Sequence, residues 1–437
     1  MHLSKGIYFD SKDADILRLV NRVLEGRAKP QESAIDPHLH PHGIKELVDS
    51  PVARMAYAVV NLLRNLEAGR TQARDRLLGL GILYNEVINS AHTSFCRNTA
   101  RVLMQIMKDI VRAHGDEKRQ LTLAHDFRAA AQGTPRIVRR LLKRYNLPEM
   151  SEEWNQLAFD DHVYDMNTKG RKSPTHLIMD AWIKGLRRLT IIYDNCVDRE
   201  VVQEVLSAAS IVGITVRIGV EFKVPFRGRF VSFLWAPRGF ASDQDFLNFL
   251  QSPKMNVLAA RGQEVVAYKR DIVLGSLRVW NEGLREARAA ELGIDIAPVR
   301  VEDFLNYVGR GHVSRERLAE YVYTLILPDV QARLDELALR RESLDEAETR
   351  QRDQLRRLCA DTIQDEWFSP ELHPELPHIA LPDDLGKMPE LLAMKPIELM
   401  RMLQEVNAGY RITLTTAGLT VQDVMELLWD CRGMISH

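Results

Sequence analysis

The sequence has no CxxC pair; its four cysteines (Cys96, Cys196, Cys359 and Cys431) lie far apart. That argues against a cysteine-built zinc site, and scattered single thiols fit a reducing compartment. No run of about 18 apolar residues exists, so no membrane span is expected. The first residues, Met1 to Lys5, lack the apolar stretch of a secretory signal, and the expected location is cytoplasmic. There is little charge of either sign to spare: the net charge is -1, which gives no overall pull toward nucleic acid or membrane. GxxxxGK[ST], a GxGxxG after a strand and GxSxG are all missing. P-loop nucleotide hydrolysis, dinucleotide binding and serine hydrolysis therefore lack their local signatures.

What is present is an ordinary globular composition, 45% hydrophobic and 27% charged, over 437 residues. That length allows two or three domains. From Pro51 to about Leu147 the pattern is helical: Val52, Met55, Ala56, Val59, Val60 and Leu63 recur at i, i+3, i+4 spacing. Helices are expected over 13–24, 101–112 and 135–145, and Pro135 suits a first helical turn. The character changes near residue 155. Leu189 to Tyr193 is a short β-branched run, as expected of a strand buried on both faces. Helices over 174–185 and 200–209 alternate with that strand and with strands at 215–221 and 230–235, a parallel α/β signature. From 242 to about 365 the chain reads as helical again. Its charged part, 334–367, reads as a solvated arm or hairpin. A proline-rich linker over 369–391, a helix over 421–429 and a final strand over 434–436 complete the pattern.

Several motifs in order resemble the PHP (polymerase and histidinol phosphatase) superfamily, in its small phosphoesterase branch. Asp160-Asp161-His162-Val163-Tyr164-Asp165 stands where the family has Asp-Leu-His-Thr-His-Thr. Ser173-Pro174 matches a helix start, and Asp194-Asn195 stands for an Asp-His pair at a strand end. Gly219-Val220-Glu221 resembles a Gly-Ile-Glu strand end, Ser232 falls on a histidine position, and Arg317 replaces a later histidine. The resemblance implies a distorted (β/α) barrel, preceded by an all-α domain (1–150) and interrupted by a large helical insertion. The barrel would occupy 151–241 and 391–437, with the insertion and linker at 242–390 and closure beyond His437. It also implies a metal site, possible for Zn or Mn, at His162, Asp194, Glu221 and His437. Tyr164, Asn195, Ser232 and Arg317 stand where histidines are expected. Asn, Ser and neutral Tyr are weak ligands, and guanidinium cannot ligate at all.

The expected function is therefore a degenerate PHP-like module, a binding or scaffold domain for an anionic, phosphate-bearing ligand held by Arg317, Tyr164 and Asn195. The alternative is a metal-dependent phosphoesterase, a hydrolase with a reduced site in which His162, Asp194 and Glu221 hold one ion. Expected partners are a phosphate-bearing small molecule or nucleic acid, with no membrane. Other constellations read more plainly. His38, His40 and His42 alternate in a proline-broken loop and fit a histidine-rich surface better than a metal site. His312 could replace the ligand lost at Arg317, but reads first as a loop histidine. Cys196 has no evident base and reads as a buried thiol. The basic stretch from Arg97 to Arg144, with Arg139, Arg140, Lys143 and Arg144 clustered, could face phosphate or could be a solvated helix face.

Overall fold

A computed structural model describes residues 10–26, 51–67, 73–88, 95–150, 158–309, 312–340, 345–379, 381 and 385–437. Two compact units divide the chain. The first is Met1–Val163, Lys172–Thr190 and Glu200–Arg217; the second is Tyr164–Arg171, Ile191–Arg199 and Ile218–His437.

The first unit opens with helices α1 (Ser11–Leu24), α2 (Pro51–Glu67), α3 (Ala73–Leu83), α4 (Cys96–Arg112), α5 (Glu117–Ala131) and α6 (Pro135–Arg144). The apolar spacing expected of α2 faces inward: Ala56, Val59, Val60 and Leu63 are buried, and α2 packs on α4, where Leu103 and Met107 are buried too. Arg101, counted in the basic stretch, does not face solvent. It is fully buried and donates to the Ile183 and Pro148 carbonyls at 2.7 and 2.8 Å. Arg139 is taken by Glu149 and Arg144 by Asp126. Two of the clustered four are thus paired, while Arg140 and Lys143 stay exposed.

Strand β1 (Phe159–Val163), α7 (Pro174–Lys184), β2 (Arg188–Asp194), α8 (Arg199–Val212) and β3 (Thr215–Phe226) follow. The punctuation of α7 is local: the Ser173 hydroxyl caps the His176 amide, Pro174 opens the helix, and Gly185 closes it at φ +85°. The backbone bonds Thr215 to Arg187 and Asn195 to Glu221 advance together along both strands, so β2 and β3 run parallel.

The βα repeat stops after β3. Arg227 and Gly228, at φ +47° and +75°, form a two-residue hairpin turn that returns the chain antiparallel as β4 (Arg229–Pro237). Positive φ at both central residues is the type I′ geometry that matches strand twist. A long helical run then leads to β5 (Tyr410–Leu414), antiparallel to β4. The five strands form one sheet in the order β1-β2-β3-β4-β5. A barrel is not shown: the described strands make one sheet with β1 and β5 at its edges. The expected strand over 434–436 is corrected. Ser436 and His437 hydrogen-bond to Ile412 without forming a strand, and β5 itself was not anticipated.

The helical run comprises α9 (Asp243–Phe249), α10 (Pro253–Val279), α11 (Arg285–Leu292), α12 (Val301–Val308), α13 (Arg315–Leu339), α14 (Glu346–Arg357), α15 (Ala360–Trp367), α16 (Glu390–Ala393) and α17 (Pro396–Val406); α18 (Val421–Asp430) follows β5. The charged 334–367 segment is not a solvated arm. Its apolar residues Leu337, Leu355, Ile363 and Trp367 enter a core with Trp280 and Phe304. Trp280 and Trp367 stack with ring centroids 5.3 Å apart. Among the described residues no helix is long and apolar enough to cross a membrane.

Candidate functional site

Alternation along β3 and β4 sorts the hairpin into two faces. Val220, Phe222 and Val224, with Val231, Phe233 and Trp235, are buried on one. Glu221 and Lys223 stand on the other, where Lys223 pairs in register with Ser232. The Tyr164–Arg171 loop, the end of β2, α10 and the start of α13 bring further polar groups of the second unit to these residues.

Glu221 is buried, and its Oε2 accepts from both the Tyr164 hydroxyl at 3.2 Å and the Lys169 ammonium at 2.9 Å. The Lys169 ammonium also lies 4.9 Å from the centre of the Tyr164 ring. Burial alone would push the Glu221 carboxyl up, but the charge and hydrogen bond of Lys169 outweigh it and hold the carboxyl below its ordinary 4.5. Burial works against Lys169 too, and Glu221 overcomes it, lifting the ammonium from 10.5 to about 12. The signs follow from linkage. The stabilisation from Glu221 is present above pH 4.5 and fades as pH falls. That from Lys169 is complete below pH 10.5 and fades as pH climbs through about 12. Tyr164 is pushed up to about 12 by burial and then by the Glu221 charge, so its phenol stays a neutral donor at pH 7.

Asp194 ends β2 with a side chain 4% exposed, and its Oδ2 accepts from Lys269 of α10 at 2.6 Å. Its Oδ1 accepts from the Asn195 amide at 2.9 Å, and His312 Nε2 lies 3.9 Å from Oδ2. Asn195 sits at φ +60°, a region Asn tolerates better than most residues, so a backbone demand accounts for Asn here. Burial holds His312 below its ordinary value against the pull of Asp194. The Cys196 thiol is likewise raised by burial, to about 11, as the buried-thiol reading expects. Helix α10 comes close to this turn because residue 262 is glycine. A Cβ there would stand 2.3 Å from the Asn195 carbonyl oxygen and 2.8 Å from the Cys196 Cβ. Gly262→Ala gains up to about 1 kcal/mol of helix propensity. The overlap should outweigh it and give a net loss of about 1–3 kcal/mol in urea unfolding.

The sequence-derived residues are only partly brought together. Tyr164 and Glu221 touch, and Asp194 and Asn195 touch. Arg317 donates to Glu320 on its own helix at 2.7 Å and to the Gly170 carbonyl at 3.2 Å, which commits it to bracing the loop that carries Tyr164 and Lys169. His162 is exposed on β1 in the first unit, and His437 is exposed beside β5. His38, His40 and His42 lie outside the described residues, as do Arg310 and Gly311. The groups missed in sequence are Lys169, Lys223 and Lys269. Only Lys223 had a local signal, two residues beyond Glu221 on one strand face.

The donor set does not suit a metal ion. Both Asp194 oxygens and Glu221 Oε2 already accept hydrogen bonds, and two ammoniums sit within 3 Å, where a divalent ion would be repelled. Among the described residues no group of three or more His, Cys, Asp and Glu is placed to hold a metal.

No family model matches the chain, and no curated protein matches it. Solved structures similar to it include a Bifidobacterium adolescentis protein provisionally named a metal-dependent phosphoesterase. That pair shares 13% identity over 62% of this chain and 74% of that one, with a TM-score of 0.38. A Chromobacterium violaceum amidohydrolase with bound sulfate and no metal shares 14% identity over 63% and 74%, also with a TM-score of 0.38.

Proposed function

We propose that the second unit carries an anion site for a phosphate-bearing ligand, built from the remains of a PHP-like pattern in which ammonium groups replace metal charge. Lys169 and Lys269 neutralise Glu221 and Asp194. Lys223 is the observation that carries the reading. It is half-buried, and among the described residues its ammonium has no hydrogen bond or ion pair within 4 Å. Burial and then the charge of Lys169 lower its ammonium from the ordinary value, so an anion that joined it would relieve both penalties. Three ammoniums against two carboxylates leave one positive charge for the ligand. Tyr164 stays protonated and gives its one O–H to Glu221, which helps hold that carboxylate, while Arg317 and Asn195 shape the loops around the site. The reading favours binding over metal-assisted hydrolysis, which would require Lys169 and Lys269 to be displaced from the carboxylates.

Calorimetric titration with inorganic phosphate tests this. Lys223→Gln breaks no ion pair, so its fold should hold, and affinity should fall about tenfold or more. Elemental analysis of the purified protein, with hydrolysis assays under added Mn²⁺ or Zn²⁺, supplies the other arm. Stoichiometric metal lost in an Asp194→Ala/Glu221→Ala variant would sink the proposal in favour of the phosphoesterase.

A further inference from the structure

A polar cavity lies entirely within the first unit. Its volume is about 430 Å³, within the range of about 300–1,000 Å³ typical of small-molecule sites. Helices α2, α4 and α7 and the 145–147 turn after α6 line it. Four cations face it: Lys108, Arg112, Lys172 and Lys184. One carboxylate, Asp180, lines it too, and this side chain is 11% exposed and accepts from both Lys108 and Lys172. Asp109, outside the lining, reaches Arg112 at 3.5 Å on a largely solvated surface. Even with Asp109 counted, cations exceed acids by two.

The arrangement is built rather than incidental. Asp180 is nearly buried, and by gathering two lysines it fixes their ammoniums at the cavity while leaving each with donors unused. His176, one turn before Asp180, lies 3.7 Å from it. Burial, and then Lys108 and Lys172 acting against Asp180, push that imidazole down to about 4, so it is a neutral hydrogen-bonding group at pH 7. The rest of the wall is apolar, with Leu63, Val111, Leu147 and Ile183 among its residues. A bare inorganic ion would use only the cationic part.

We infer that this cavity binds a small organic phosphate monoester, its phosphate at the Lys108–Lys172–Arg112–Lys184 cluster and its apolar or aromatic body against Leu63, Val111 and Leu147. This site is independent of the one in the second unit. A monoester carries about 1.5 to 2 negative charges at pH 7, which matches the excess of cations, and ammonium groups suit a phosphate as point charges.

Phenyl phosphate is the probe, titrated calorimetrically into the full chain beside inorganic phosphate and phenol. The expected result is that phenyl phosphate binds at least about tenfold more tightly than either, with affinity that falls as salt rises. Arg112 and Lys184 are solvent-exposed, so Arg112→Glu and Lys184→Glu should fold normally and should each weaken phenyl phosphate about tenfold. The titrations are repeated in the Lys223→Gln background, which removes phenyl phosphate taken up by the second-unit anion site; tight binding should persist there and should still weaken with Arg112→Glu or Lys184→Glu. Equal affinity for inorganic phosphate and phenyl phosphate would overturn the inference, as would no binding in the millimolar range. Binding lost in Lys223→Gln but kept in Arg112→Glu and Lys184→Glu would also overturn it, by assigning the ligand to the other site.

Discussion

Lys269→Met should lose about 3–5 kcal/mol of stability, the usual cost of breaking a buried ion pair from one side. Lys269 and Asp194 are 11% and 4% exposed and 2.6 Å apart, so solvent does little to compensate Asp194 once the ammonium has gone. Methionine keeps most of the volume, which makes the loss electrostatic rather than a cavity effect. One neighbour can respond. His312 lies 3.9 Å from Asp194, and the groups that set its charge are Asp194 and Glu316, which favour protonation, and burial, Lys269 and Lys169, which oppose it. Removing Lys269 raises the His312 value in the folded state. A folded-state value that rises adds stability at low pH and loses it as pH climbs. The deficit of the variant should therefore be smaller at pH 5.5 than at pH 8, read by urea unfolding at both. If the ammonium stands in for metal charge, millimolar Mn²⁺ or Zn²⁺ should raise the melting temperature of the variant and leave the parent unchanged. A loss under about 1 kcal/mol, flat with pH, would show that Asp194 does not depend on this lysine.

The divide between what the sequence made legible and what it hid follows interaction range. Strand β2 was readable because Leu189 to Tyr193 is buried on both faces and needs no partner to look like a strand. Helix α7 was readable because Ser173, Pro174 and Gly185 punctuate it locally. β5 was not: its five residues span a single short alternation, and its partner β4 lies far back along the chain. The 334–367 segment looked solvated because charge dominates it, yet Leu337, Leu355, Ile363 and Trp367 are enough to dock its helices. At the site, the loss of histidines at Tyr164, Asn195, Ser232 and Arg317 was visible, whereas what replaced their charge was not. Lys169 and Lys269 reach their carboxylates across 52 and 75 residues of sequence, where no local pattern announces a lysine as a counterion. A barrel is not shown among the described residues, and Arg227-Gly228 joins β3 to β4 as a hairpin in an open sheet.

Glu204→Ala should also cost about 3–5 kcal/mol, for a related reason inside the first unit. The Glu204 side chain on α8 is 4% exposed and takes a bidentate pair from Arg76 of α3, Nε at 2.8 Å and a terminal nitrogen at 2.6 Å. The Thr175 hydroxyl and amide at the start of α7 add bonds at 2.7 and 3.2 Å to the same carboxylate. Three helices thus meet on one buried charge, and alanine leaves the Arg76 guanidinium without that partner and two Thr175 donors without an acceptor. Glu204→Gln keeps the shape and loses the charge, so it should fall between the parent and alanine. The double variant Arg76→Met/Glu204→Leu removes both charges and fills the space. It should lose less than Glu204→Ala alone, because a buried pair exchanged for packed apolar groups is often neutral. Chemical denaturation of the four proteins checks the ordering. The same series bears on the cavity beside α7, which carries His176, Asp180 and Lys184. If the Glu204 anchor sets the position of α7, phenyl phosphate affinity should fall in Glu204→Ala and recover in the double variant. An affinity that is flat across the series would separate the anchor from the cavity.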